Sequence, residues 1–335
     1  MGPREHSIKR PRPERGAGVP NAAAALGWPA GGKPGEAGPP NERERGWGPA
    51  SIRIMTRRQL IALVGSLAIA GVDLRATADR VVKKGRLKQS VSRWPYAKIP
   101  LPEFCRAIAE MGLPAIDLLE EPDWQVARDH GLVVSMAYAG GGSIPDGLNV
   151  TANHDAIVRN FEQKIPRAAA MKIPNVITFF GNRRGMSDEE ATANCVTGLN
   201  RVKKIAEDHD VTICVELLNS RVNHKDYQGD RTKFGVDIVK AVDSPRVKLL
   251  YDIYHMQIME GDLIATIRAN HQYIAHYHTG GVPGRHELDD TQEVNWAAVA
   301  RAIVETGFTG YVAHEFVPTR DPLTSLREAV ALCDV

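Results

Sequence analysis

Four ionisable side chains stand at or near the ends of apolar, β-branched runs. They are Glu216 in Val215-Glu216-Leu217-Leu218-Asn219, Asp252 in Tyr251-Asp252-Ile253-Tyr254-His255, His278 in His276-Tyr277-His278 and Glu315 in His314-Glu315-Phe316. A carboxylate inside such a run is costly to bury unless it is paired or bound to a metal. Taken singly, each has an ordinary reading as a core group tied to an arginine or a backbone amide. Taken jointly they read differently, because the four lie one per run on consecutive runs, at spacings of 36, 26 and 37 residues. Neighbouring parallel strands stand ~4.8 Å apart, so adjacent C-terminal ends can converge on one ion. Three carboxylates and one imidazole suit Mn²⁺, Mg²⁺, Co²⁺ or Zn²⁺ and do not suit a thiolate-seeking copper ion. With positions left open for substrate, such a set points to a catalytic divalent-metal site.

Eight strand-like runs supply the positions: 87–92, 115–119, 132–139, 176–180, 211–218, 247–253, 273–278 and 311–316. Segments of helical period fall between them, clearest at 101–111, 154–171, 188–209, 262–271 and 296–306. Ser187-Asp188-Glu189-Glu190 has capping-box spacing, and Asn295 precedes the helix opened by Trp296. Gly112, Gly131 and Gly307 fall where a helix should yield to the next strand. Eight strand–helix units in about 250 residues is the arithmetic of a (β/α)8 barrel, an α/β fold of the TIM-barrel type. A doubly wound sheet would show a Gly-rich phosphate loop after its first strand, and none is present. Gly140-Gly141-Gly142 lacks that spacing and reads as a flexible active-site loop.

The remaining composition bounds the partners. Residues 1–78 hold 12 Lys/Arg against 6 Asp/Glu, and residues 79–335 hold 30 against 34, so the folded part is near −4. That disfavours a duplex-binding surface, which needs many cations to replace counterions. Residues 1–54, with 9 Pro and 10 Gly, form a disordered extension or translated sequence upstream of the true start. Met55-Thr56-Arg57-Arg58, an apolar run over 60–72 and Ala76-Thr77-Ala78 read as a twin-arginine export signal over 55–78. The apolar run is shorter than the ~20 residues that span a bilayer, so no stable membrane insertion is expected after cleavage. The expected product is a single catalytic domain over 79–335, periplasmic or otherwise exported, with a mature terminus near Asp79. Cys105, Cys195, Cys214 and Cys333 read as buried thiols. A small-molecule partner is expected, with no nucleic acid; a homo-oligomer is compatible with the chain.

Three segments carry a family resemblance: Glu216-Leu217-Leu218-Asn219-Ser220, the stretch Tyr251-Asp252-Ile253-Tyr254-His255-Met256-Gln257-Ile258-Met259-Glu260-Gly261-Asp262, and Gly281-Val282-Pro283-Gly284-Arg285-His286-Glu287. The chain resembles the hydroxypyruvate isomerase family, within the xylose-isomerase-like barrels that also include ketose 3-epimerases. The resemblance spans about residues 86–335. It implies a metal held by Glu216, Asp252, His278 and Glu315, with Glu216 and Glu315 also moving protons and His255 and Arg285 contacting substrate. Hydroxypyruvate isomerases commonly carry Gln where His278 stands, and His there is the epimerase-like choice. The implied reactions are aldose–ketose isomerisation of a small hydroxy-keto acid, or 3-epimerisation or isomerisation of a keto-sugar. A metal-dependent abasic-site endonuclease and a non-catalytic binding barrel are competing classes. Arg285 reads either as a clamp on a substrate carboxylate or as a partner of Glu287, Asp289 or Asp290. Asn182-Arg183-Arg184 lines the mouth or carries solvated loop charges, Trp94 and Tyr96 form an apolar wall or pack, and His276 reads as a satisfied core histidine or as a support of His278 from behind.

Overall fold

The computed structural model describes residues 80–335. The Pro/Gly-rich stretch 1–54 and the export signal expected over 55–78 lie outside the described residues. The eight expected strands all form: β1 Lys88–Val91, β2 Ala115–Leu119, β3 Val133–Gly141, β4 Asn175–Phe179, β5 Thr212–Leu217, β6 Val247–Asp252, β7 Ile274–Thr279 and β8 Tyr311–His314. They pair in parallel in the order β1-β8-β7-β6-β5-β4-β3-β2. The two ends meet through the parallel bridge Ser92↔Asp117 and the bond from the Arg93 N–H to the Asp117 carbonyl, 3.0 Å. Strands β2, β4 and β5 are buried along their whole length, as a parallel barrel covered by helices requires.

The helices are α1 Leu101–Met111, α2 Trp124–Asp129, α3 His154–Ala170, α4 Asp188–Asp208, α5 Thr232–Val242, α6 Ile253–Met259, α7 Leu263–Asn270, α8 Trp296–Glu305 and α9 Pro322–Cys333. The expected caps form. Ser187 Oγ accepts from the Glu190 N–H at the start of α4, and Asn295 Oδ1 accepts from the Ala298 N–H at the start of α8, each at 3.1 Å. Removing such a cap costs about 1 kcal/mol. Helices α2, α5, α6 and α9 lie outside those singled out from the periodicity. Helix α6 follows β6 with no linker, so its apolar start merges with the strand's run. Helix α5 carries Gly235, where a Cβ would come within 2.8 Å of Leu249 Cδ2; the missing side chain lets the helix close on the sheet. All four cysteines are buried and unpaired.

The Gly140-Gly141-Gly142 reading needs correction. Gly140 and Gly141 belong to β3 rather than to a flexible loop. A Cβ on Gly141 would sit 2.6 Å from the Ile177 carbonyl oxygen, so the glycine permits close approach of β3 and β4.

Candidate metal centre and substrate cavity

The C-terminal ends of β5 to β8 bring the four expected groups together. Glu216 is the penultimate residue of β5, Asp252 ends β6, His278 lies opposite Asp252 in the β6–β7 register, and Glu315 follows β8 directly. Strand alternation turns Glu216, Asp252 and His278 toward the barrel axis, while Leu217, Tyr251 and Tyr277 face the helices. All four groups are buried. His278 Nδ1 lies 2.7 Å from Glu315 Oε2, 3.4 Å from Glu216 Oε1 and 3.9 Å from Asp252 Oδ2.

The donor set fits a divalent cation. His278 Nδ1 is buried and faces three carboxylates, and the four ligand atoms all lie within 4.8 Å of one another. One ion bound at about 2.0–2.2 Å by each ligand needs donors spread over a space of this size. Asp252 is aimed by its own chain: Oδ1 accepts from the His255 N–H at 3.1 Å, capping α6 and leaving Oδ2 for the centre.

A fifth group that the sequence reading passed over orients His278. Asp117, in β2 across the barrel, accepts the His278 Nε2 hydrogen at Oδ2, 2.9 Å, and approaches His276 Nε2 at Oδ1, 3.2 Å. Ser135 Oγ donates to Oδ1 at 2.5 Å and lies 2.7 Å from Ser90 Oγ. With its hydrogen held on Nε2, His278 presents an Nδ1 lone pair to the centre, a carboxylate–histidine arrangement characteristic of metal sites. Register shifts flank Asp117, and Leu118 adopts φ +55°, a local bulge that turns the carboxylate inward and Leu118 toward the cavity. The signal was present in Ala115-Ile116-Asp117-Leu118-Leu119, a carboxylate in an apolar run like that around Glu216. His276 shares Asp117 with His278 and so supports it indirectly.

Electrostatics divide the cluster. Burial pushes Asp252 up to about 7, against the pull of Arg285, and it also raises Glu216. Burial would raise Glu315 too, but Arg285, His278 and a hydrogen bond from Trp94 hold it well below the usual carboxylate range. Burial opposes charge on His278, yet Glu315 and Asp117 raise it well above an ordinary histidine, so a cation bound at Nδ1 would take the place of a proton there. Asp117 is held at about 2 despite its burial, by His276 and His278.

Arg285 pairs with neither Glu287 nor the two aspartates. Its Nη2 donates to Glu315 Oε2 at 2.6 Å and to Asp252 Oδ2 at 3.2 Å, and its guanidinium lies 5.3 Å from the ring centroids of both Trp94 and Tyr254. Trp94 Nε1 donates to Glu315 Oε1 at 2.6 Å, so Trp94 belongs to the site. Tyr96 is plain packing, stacked on Phe104. Arg183 pairs with Asp188 and Asp230, and Arg184 with Asp146, away from the cavity wall. His255 is fully buried; Asn219 donates to its Nδ1 through its N–H at 3.1 Å and through Nδ2 at 2.6 Å. Its Nε2 has no hydrogen-bond partner among the described residues and lies 3.6 Å from Asp252 Oδ2.

Glu287 instead fixes the loop that carries Arg285. It accepts from the N–H groups of Thr319 and Arg320 and from the hydroxyls of Thr319 and Ser325, at 2.8 to 3.2 Å. Burial would raise its carboxyl, but its own N–H, the N–H and hydroxyl of Thr319 and the Ser325 hydroxyl bring it from 4.5 to about 2. A depressed folded value gives stability that is present above 4.5 and lost as pH falls toward 2. Glu287→Gln is expected to cost about 1–3 kcal/mol at pH 7. The deficit against wild type should shrink toward pH 2; thermal unfolding that shows a pH-independent deficit would contradict this role.

A cavity of about 290 Å³ opens above the cluster, with Glu216, Glu315, Arg285 and His224 at its polar end and Leu118, Ile177 and Phe179 on its apolar wall. Fold and site thus define a parallel (β/α)8 barrel whose C-terminal face holds a buried carboxylate–imidazole centre beside a small-molecule cavity. The chain belongs to the xylose isomerase-like TIM barrel family, whose model matches residues 105–334. It is 26% identical over 238 residues to the human protein named putative hydroxypyruvate isomerase, covering 70% of this chain and 80% of the relative. It is 35% identical over 124 residues to D-psicose 3-epimerase of Ruminiclostridium cellulolyticum, covering 36% and 39%. Among solved structures, one described as AP endonuclease, family 2, from Brucella melitensis superposes with a TM-score of 0.66 at 22% identity, covering 72% of this chain and 97% of that one. The structural likeness shows the fold; the curated relatives support an isomerase built on it.

Proposed function

We propose that the protein is a divalent-metal-dependent isomerase that interconverts a small hydroxy-keto acid and its aldehyde isomer by proton transfer through an enediolate. The observation that carries this reading is the placement of Glu216 and Glu315. They come from β5 and β8, flank Asp252 and His278, and both face the cavity. A divalent ion held there supplies Lewis-acid stabilisation of negative charge on the substrate oxygens. The chain supplies the proton chemistry. One glutamate takes the proton from the hydroxyl-bearing carbon next to the carbonyl, that glutamate or the other delivers it to the former carbonyl carbon, and the hydroxyl proton passes from the old alcohol oxygen to the old carbonyl oxygen. Asn219 fixes the His255 hydrogen on Nε2, a donor for a substrate oxygen.

The protein, supplemented with Mn²⁺ and assayed in deuterated water, is expected to isomerise hydroxypyruvate and to place solvent deuterium on carbon in part of the product. Absence of turnover on hydroxypyruvate, tetrose, pentose and hexose substrates, with metal occupancy verified, would overturn the reading. A second reading, ketose 3-epimerisation, is favoured by a cavity whose lining adds the apolar Leu118, Ile177 and Phe179 to the two glutamates. It is also supported by the similarity to the psicose epimerase. There the proton returns to the opposite face of the same carbon, and NMR of the product separates an epimer from an aldehyde isomer.

A further inference from the structure

The loop after β5 places a half-buried imidazole, His224, on the cavity wall with Glu216 and Arg285. The loop itself is tightly held. The His224 N–H donates to the Asn219 carbonyl at 3.1 Å, and its own carbonyl accepts from the Tyr227 N–H at 3.0 Å. Asn219 Oδ1 accepts from the N–H groups of Val222 and Asn223, and the buried Tyr227 hydroxyl donates to the Glu216 carbonyl, each at 2.9 Å. Yet neither ring nitrogen of His224 makes a hydrogen bond among the described residues; its ring only packs on His255, with centroids 5.3 Å apart. A side chain on a cavity wall, carried by a loop held this firmly and with both ring nitrogens unused, is set to meet a ligand.

The chemistry of the position selects the ligand group. Burial, and then the neighbouring Arg285, hold His224 below an ordinary histidine, so near neutral pH the ring offers one donor and one acceptor. A hydroxyl offers the matching acceptor and donor, whereas a carboxylate has no hydrogen to give. The cation among the lining residues, Arg285, is held by Asp252 and Glu315 at the reacting end, away from what His224 would bind. The cavity, about 290 Å³, is near the lower end of the roughly 300–1,000 Å³ that holds complete small-molecule ligands, and a three-carbon acid would leave much of it unfilled.

We propose that His224 is a specificity-determining residue that hydrogen-bonds a hydroxyl on the part of the substrate beyond the reacting carbons, selecting a polyhydroxylated chain longer than three carbons. The proposal rests on the reading of Glu216 and Glu315 as the proton-transfer pair. The test compares wild type, His224→Ala and His224→Gln on fructose, erythrulose and hydroxypyruvate, with Mn²⁺ present. In His224→Ala the ratio of kcat/KM for fructose to that for hydroxypyruvate is expected to fall about tenfold, mainly through KM, which corresponds to about 1.4 kcal/mol for one hydrogen bond. His224→Gln keeps a donor and an acceptor and should restore most of the ratio. Ligand-observed NMR should show the same order in fructose Kd without any turnover. An unchanged ratio in His224→Ala, or an equal loss on all three compounds, overturns the proposal. If wild type turns over none of them, the isomerase reading fails by itself. Fructose binding weakened tenfold in His224→Ala still supports the role of His224, and unchanged or undetectable fructose binding overturns it.

Discussion

With metal occupancy verified in each variant, Glu216→Gln and Glu315→Gln are expected to lose about 10²–10⁴-fold in turnover, the usual consequence of removing a general base. The two losses should differ in kind. Among the described residues the Glu216 carboxylate has one close polar contact, His278 Nδ1 at 3.4 Å, so its amide leaves the surrounding hydrogen bonds largely in place. Glu315 accepts from Trp94 at Oε1 and from Arg285 at Oε2. An amide has one oxygen for those two donors, so Glu315→Gln must also release either the indole or the guanidinium. It should therefore raise KM as well as lower kcat, while Glu216→Gln acts mainly on kcat. Metal affinity will fall in both, since each carboxylate is a candidate ligand, and for that reason occupancy has to be measured. Full turnover in both metal-loaded variants would remove this pair from the chemistry.

Asp117→Asn tests the arrangement behind the centre. The carboxylate of Asp117 can only accept, so it holds the His278 hydrogen on Nε2. An asparagine can present its NH₂ instead and move the ring hydrogen to Nδ1, the atom that faces Glu216, Asp252 and Glu315. The shape of the site barely changes, but the ligand lone pair is lost. Changes to such supporting groups typically cost about 10–100-fold in metal affinity. The expected result is a Kd for Mn²⁺ or Zn²⁺ raised by that factor in a calorimetric titration. The thermal stabilisation given by a fixed metal concentration should shrink accordingly; at 100 times Kd that stabilisation is about 2.7 kcal/mol. Unchanged affinity in Asp117→Asn would show that Asp117 serves the packing of the barrel and not the centre.

Much of the fold was legible because each strand leaves a local mark. Eight apolar runs at regular intervals, with caps at Ser187 and Asn295, required no knowledge of distant contacts. Glu216, Asp252, His278 and Glu315 were legible for the same reason: each is a polar group at the end of an apolar run, on four runs that follow one another. Adjacency in sequence became adjacency in space because parallel strands joined by helices are laid down in order. Arg285 was legible as a functional candidate, but its partners were not. Glu287 is two residues away in sequence, yet it is taken by Thr319, Arg320 and Ser325, leaving Arg285 to Asp252 and Glu315.

Only the tertiary structure decided how the barrel closes and what that closure joins. Asp117 and His278 are 161 residues apart, and they meet inside the closed barrel because β2 and β7 are separated there only by β1 and β8. Periodicity records which side of a strand is buried, but carries nothing about which strand lies opposite. His224 sits in a loop without period or apolar pattern, and its place on the cavity wall follows from hydrogen bonds to Asn219 and Tyr227. Gly140 and Gly141 look like a flexible loop until the Ile177 carbonyl is seen packed against one of them. The sequence by itself determined the strands and the types of the candidate ligands, since both follow from local burial and chemistry. Which buried charge neutralises which, and which imidazole is left free to meet a substrate, depended on strand stagger and loop path, and those are set by packing across the whole barrel.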